Sequence, residues 1–184
     1  RSGYRITEPL TQLWKYTLRQ DKITDIPSDA SLAIKEQEGD FITSSIGQTL
    51  RYDKRDNRFN PTDGYYVELE NTLAGFGGDS KYLRNEIRGG TFYEIYDKWI
   101  LSFGVGTGYI IGIGDDIRII DRFFLGGDTL RGFEDSGVGP RDLATQDAIG
   151  GNFFYRTTVG VTFPLGLPNE FGLRGRLFTD AGSL

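Results

Sequence analysis

Residues 98–111 read KWILSFGVGTGYII. Trp99, Leu101, Phe103, Val105, Tyr109 and Ile111 fall on one parity, and Ser102, Gly104, Gly106 and Gly108 on the other. A period of two places alternate side chains on opposite faces of a strand. The pattern recurs. Residues 152–163 set Phe153, Tyr155, Val159, Val161 and Phe163 against Asn152, Arg156, Thr158, Gly160 and Thr162. Residues 173–181 set Leu173, Leu177 and Ala181 against Arg174, Arg176 and Asp180. Residues 81–93 and 65–73 alternate Leu83, Ile87 and Tyr93 with Arg84, Glu86 and Arg88, and Val67, Leu69 and Leu73 with Glu68 and Glu70. Weaker alternation covers 13–19 and 41–51. About seven strands are expected, most near the ~9–11 residues that a tilted strand needs to cross a bilayer.

Composition narrows the classes. The 184 residues suit one domain. No methionine is present, so the chain is expected to come from a longer one. Without cysteine there is no disulfide framework or thiolate metal site, and without histidine the commonest catalytic base and metal ligand is missing. A net charge of −5 argues against nucleic acid as the main partner. No apolar run approaches the ~18 residues of a spanning helix, so any membrane role runs through strands.

Two all-β solutions compete. In a soluble sandwich the apolar face is inside, whereas in a membrane barrel it meets lipid. The barrel is favoured by strand length and by aromatics near strand ends (Tyr65, Tyr66, Tyr82, Tyr93, Tyr96, Trp99, Tyr109), as in an interfacial girdle. Connector lengths also alternate. Residues 55–64, 94–98 and 165–172 are short, 21–40 and 121–151 are long, and 75–80 falls on the long side. Short turns at one end and long loops at the other mark an outer-membrane barrel. Seven is an odd number, whereas bacterial single-chain barrels are usually even, and open edges are prohibitive in lipid, so further strands are expected before and after this chain.

The longest connector, residues 121–151, is DRFFLGGDTLRGFEDSGVGPRDLATQDAIGG. Phe123, Phe124, Leu125, Leu130 and Phe133 need a surface to pack on, and Arg131, between apolar neighbours, suits a buried or half-buried polar niche. Gly126, Gly127, Gly132, Gly137 and Gly139 suit tight or positive-φ turns. No phosphate-binding pattern is present. Asp53, Asp56 and Asp63, and Asp115, Asp116 and Asp121, lack cation-loop spacing and read as solvated turns. No catalytic residue, metal site or cofactor is expected.

Two stretches resemble the outer-membrane assembly factor family of which BamA is the type member. The first is RYDKRDNRFNPTDG at 51–64, with Asp53, Arg55, Asp56, Pro61, Thr62 and Gly64 on the family's turn pattern. The second is LGGDTLRGF at 125–133 followed by GVGPR at 137–141, which matches the family's sixth extracellular loop through Leu130, Arg131, Gly132 and Phe133. FTDAG at 178–182 resembles the strand that follows.

The resemblance implies a 16-stranded barrel, of which this chain is roughly strands seven to thirteen, with periplasmic POTRA domains upstream. Residues 1–184 then form a partial barrel domain whose loop 121–151 is extracellular and folds into the lumen. Arg131 is expected to pair with an acid on the inner wall. Asp180 is the candidate, Thr162 stands where some relatives carry a second acid, and Glu68, Glu70 and Glu86 are alternatives. Gly104, Gly106, Gly108 and Gly160 are expected to make room for the loop, with strand curvature as the competing reason. The implied function is insertion of β-barrel proteins into the outer membrane of Gram-negative bacteria. Unfolded outer-membrane proteins are the substrates, and accessory lipoproteins and the bilayer are partners. A polypeptide-exporting pore of the same superfamily is the alternative. A barrel phospholipase or protease, and a soluble β-module, are more distant.

Overall fold

The computed structural model describes residues 2–166 and 172–184. Among the described residues eight strands form one antiparallel sheet in chain order: β1 (Ser2–Arg5), β2 (Leu10–Ile23), β3 (Gly39–Asp53), β4 (Gly64–Gly78), β5 (Tyr82–Tyr96), β6 (Trp99–Gly112), β7 (Phe153–Pro164) and β8 (Arg174–Ser183). β1 and β8 are the edges and do not pair with each other. The added strand is β1, four residues opposite Thr11, Gln12, Leu13 and Trp14, too short to show a period of its own. With eight strands the odd-number argument for a larger barrel falls. The open-edge argument stands.

The strands also exceed the expected lengths. β3, β4 and β5 each run 15 residues. At ~3.3 Å per residue and a tilt of ~40° such a strand rises ~38 Å, more than the ~30 Å of hydrocarbon. The stretch 75–80, expected as a loop, is mostly strand. β4 continues to Gly78 because a register shift between Thr43 and Ser45 absorbs the irregular backbone there.

The two faces differ in chemistry. Leu18, Val67, Ile87, Phe103, Val105 and Tyr155 are exposed on one. The other carries the charges, and they are paired: Arg51 with Glu68 at 2.5 Å, and Glu86 between Arg84 at 2.9 Å and Arg88 at 2.8 Å. A soluble sheet would bury the first face and hydrate the second. Here the arrangement is inverted, as in the wall of a transmembrane barrel. Tyr65, Tyr93, Trp99 and Tyr109 are exposed, as girdle positions require. Tyr66 and Tyr82, expected among them, lie on the polar face instead: Tyr82 is buried in an apolar cluster with Ala74 and Ile110, and Tyr66 covers Gly90.

Connections 6–9, 54–63 and 97–98 lie at one end of the sheet, and 24–38, 79–81 and 113–152 at the other. The former set is short or self-bonded, and the latter holds the two long loops. The proline-containing turn expected at 165–172 falls largely outside the described residues.

Val105 sits midway along β6 on the apolar face. Val105→Arg is expected to destabilise the intact barrel by about 2–4 kcal/mol, whereas Thr72→Arg on the polar face should cost under about 1 kcal/mol. Denaturant titration in phospholipid vesicles distinguishes the two, and equal losses would contradict the facing.

Candidate functional site

The chain leaves β6 at Gly112 and returns to β7 at Phe153, so the long loop is wider than its sequence reading, and it lies on the polar face. A 3-10 turn, Ile119–Asp121, opens the part that packs on the wall. The loop then doubles on itself. Phe123 and Gly151 exchange backbone bonds at 2.9 and 3.0 Å, and Val138 N–H donates to the Leu125 carbonyl at 3.1 Å. The tip is closed by Thr129, whose hydroxyl donates to the Gly126 carbonyl at 2.7 Å and accepts from its N–H at 3.0 Å. Gly126 is required there, because a Cβ would sit 1.9 Å from the Glu134 carbonyl oxygen.

Apolar packing seats the loop. Phe123 and Leu125 join Ala74, Tyr82, Ile110 and Phe154 in one buried cluster, with Val138 and Leu184 against it. The Phe123 and Phe154 rings are 4.7 Å apart. Leu130 is 2% exposed. Phe133, expected to pack, is more than half exposed.

Arg131 reaches β8 from the tip. Its Nε donates to Asp180 Oδ2 and its terminal nitrogen to Oδ1, both at 2.7 Å, and its backbone N–H adds a longer bond of 3.3 Å to Oδ2. The guanidinium also lies over the Phe178 ring, 3.4 Å from its centroid. Phe178 and Asp180 are two apart on one strand and so share a face, and together they supply an anion and a π-surface to one planar cation. Gly132 follows at φ +92, a conformation that side chains other than glycine rarely adopt.

The other expected residues separate. Thr162 is no partner of Arg131. It lies opposite Arg176, and the neighbour of Asp180 across the ladder is Thr158. The period of two carried Thr162 to the correct face but four residues too far along it. Glu68 and Glu86 are taken by their own arginines. Of the four glycines, Gly108 meets the loop directly, since a Cβ there would come within 3.0 Å of the Phe123 ring. Gly106 makes room for Arg156, whose guanidinium donates to the Thr129 carbonyl at 2.9 Å. Gly160 leaves space for Ser102 and Arg176 from the wall, and Gly104 has only ordinary contacts, so neither accommodates the loop.

Phe178 and Arg156 are the contributors that pattern reading missed. The signal for Phe178 was present as an aromatic on the polar parity of its strand. Asp121, read as solvated, is 3% exposed and paired with Arg19 at 2.7 Å. At the same end of the sheet, Asp147 accepts the Ser31 N–H at 2.7 Å, which ties the 24–38 loop to the long one and holds the Asp147 carboxyl below its usual range.

The turn 54–63 is built by its own side chains. Arg55 binds Asp53 through two nitrogens at 2.8 and 2.9 Å and stacks on Tyr66 at 4.4 Å. Asp56 accepts from the Thr62 hydroxyl at 2.7 Å and from the N–H groups of Thr62 and Asp63 at 2.9 and 3.1 Å. Pro61 is part-buried in the turn. Gly64, at φ +95, closes it, since a Cβ would overlap the Lys54 carbonyl.

Breaking the Arg131–Asp180 pair is expected to cost about 1–3 kcal/mol, less than for a fully buried pair, because the Arg131 side chain is 35% exposed. A double-mutant cycle of Arg131→Ala and Asp180→Ala in the intact barrel measures it, and additivity within about 0.5 kcal/mol would exclude direct coupling. At the turn, the Thr62 hydroxyl and then the Asp63 N–H lower the Asp56 carboxyl to about 2. Its contribution is therefore present above the ordinary value of ~3.9 and is lost as pH falls through about 2. Amide exchange at Thr62 and Asp63, corrected for intrinsic rate, should accelerate between about pH 4 and 2, and Asp56→Ala should abolish that dependence.

The Omp85 superfamily domain matches residues 1–184. The outer membrane protein assembly factor BamA of Neorickettsia risticii (strain Illinois) is 39% identical over 184 residues, covering 99% of this chain and 25% of its own length. A SAM50-like protein of Schizosaccharomyces pombe is 31% identical over 171 residues, covering 89% of this chain and 36% of its own length. The chain thus spans a quarter to a little over a third of these relatives. The crystal structure of BamA from Haemophilus ducreyi lacking POTRA domains 1–3 superposes with a TM-score of 0.81 at 18% identity, over 98% of this chain and 40% of that one, which shows the shared fold. With the family domain matched from end to end and the sheet of a BamA barrel wall, the chain belongs to the Omp85 superfamily.

Proposed function

We propose that this chain is a section of the wall of an outer-membrane insertase that folds and inserts β-barrel proteins. The observation that carries the reading is the 39% identity to a BamA protein across the whole chain, joined to a loop pinned inside the wall by Arg131. The substrates are unfolded outer-membrane proteins, and the partners are the bilayer and accessory lipoproteins. The bacterial outer membrane is the proposed location, because the 39% identity that spans 99% of the chain is to a bacterial protein. The barrel has 16 strands, with the turn 54–63 periplasmic and the loop 113–152 extracellular at its root and folded inward.

No covalent chemistry is required, and the protein is not an enzyme in that sense. Insertion is limited by the cost of carrying unpaired backbone groups into hydrocarbon. A barrel that opens between its first and last strands offers an edge on which an incoming strand can bond. This section is the wall opposite that seam. A stiff wall braced by its loop lets the seam open without the rest of the barrel collapsing.

The intact protein in phospholipid vesicles should accelerate folding of a urea-unfolded outer-membrane barrel, read as the heat-modifiable band, by about tenfold or more over protein-free vesicles. Arg131→Ala should remove most of that gain. Delivery of an unfolded, protease-protected polypeptide into the vesicle lumen without acceleration would overturn the reading in favour of an exporting pore.

A further inference from the structure

The loop is held at two places by arginine–aspartate pairs of similar exposure, 40% and 2% for Arg19 and Asp121 at the root against 35% and 6% for Arg131 and Asp180 at the tip. At the tip, Arg131 bonds β8 with a side chain that is 35% exposed. Nine residues into the loop, Asp121 has a side chain only 2% exposed. Its Oδ1 accepts from Arg19 of β2 at 2.7 Å, and its Oδ2 faces the Ser80 hydroxyl at 3.4 Å. Arg19 is itself steered by Asp21 at 2.6 Å. Arg84 of β5 donates to the Asp121 carbonyl at 3.1 Å and stacks on Phe123 at 4.2 Å. Two parts of the chain far apart in sequence, β2 and the start of β5 with the connection before it, therefore converge on one residue. From there contacts run through Phe123 on Phe154 and Arg156 on Thr129 to Arg131 on Asp180, a chord from β2 to β8.

We infer that Asp121 is the root anchor of the loop, a positioning residue whose pairing with Arg19 sets the point from which Arg131 reaches Asp180. A buried carboxylate requires a charged or hydrogen-bonding partner, and Arg19 and Ser80 meet that requirement only when the root lies against β2. The root takes bonds from β2, the β4–β5 connection and β5 and runs into the buried cluster through Phe123, whereas the ion pair at the tip reaches β8 alone. The tip therefore releases first, and the root holds both ends. This assignment concerns loop position and stands apart from the insertase reading, because its test measures no insertion.

The chain has no cysteine, so one engineered thiol reports alone within this section. Leu125→Cys reports the root and Leu130→Cys the tip, both at positions at most 3% exposed. They are labelled with a maleimide in the intact protein, folded in vesicles as judged by heat-modifiable migration and with any cysteines elsewhere in it replaced. Arg131→Ala should speed labelling at Leu130→Cys about tenfold or more while Leu125→Cys stays slow. Asp121→Asn should speed both, and so should Arg19→Gln, which removes a half-exposed side chain and serves if the first variant fails to fold. The swap Arg19→Asp with Asp121→Arg should restore slow labelling at both. Continued protection at both sites in Asp121→Asn or Arg19→Gln would overturn the inference, as would a folded swap that leaves both thiols exposed.

Discussion

A backbone N–H or C=O in hydrocarbon has no water to bond to, and each unpaired group costs several kcal/mol. Most of this molecule follows from that constraint. Between β1 and β8 the ladders run from Ser2 to Ser183 with few register shifts. The shifts lie near strand ends, between Thr43 and Ser45 and between Glu94 and Tyr96. The outer edges of β1 and β8 need further pairing for the same reason.

Once the backbone is paired, side-chain parity divides the environments. The apolar face needs only lipid. The polar face must neutralise itself, and it does so locally: Arg51 with Glu68, and Glu86 between two arginines. Such pairs alone would leave a polar trough. The loop fills part of it by placing an apolar cluster over Tyr82, Ile110 and Phe154, and by ending both of its ordered halves on arginine–aspartate pairs of opposite sense. At the root the loop brings the acid to the wall's arginine, and at the tip it brings the arginine to the wall's acid.

Much of this was legible in sequence because a period of two is a strong local signal. Strand faces, the ends at which turns and loops lie, and the Arg131–Asp180 pairing could be argued from parity and motif. The failures share a cause. Thr162 and Thr158 have the same parity, so only the register opposite β8 separates them. Gly104 and Gly108 are equally inward, and only the seat of Phe123 makes one of them touch the loop. Glycines 75, 77 and 78 read as a break because sequence shows their freedom but not the neighbouring strand that uses it.

Fold class, the two faces of each strand and the chemistry of the RGF loop are written in local sequence, since they depend on residues a few positions apart. Tertiary structure alone decided which acid is solvated and which is buried. Asp115 and Asp121 are indistinguishable as letters, yet the former is exposed and the latter lies beneath Ser80 against Arg19, 102 positions away. Burial and pairing across that distance are properties of the assembled sheet, whose register no local pattern encodes.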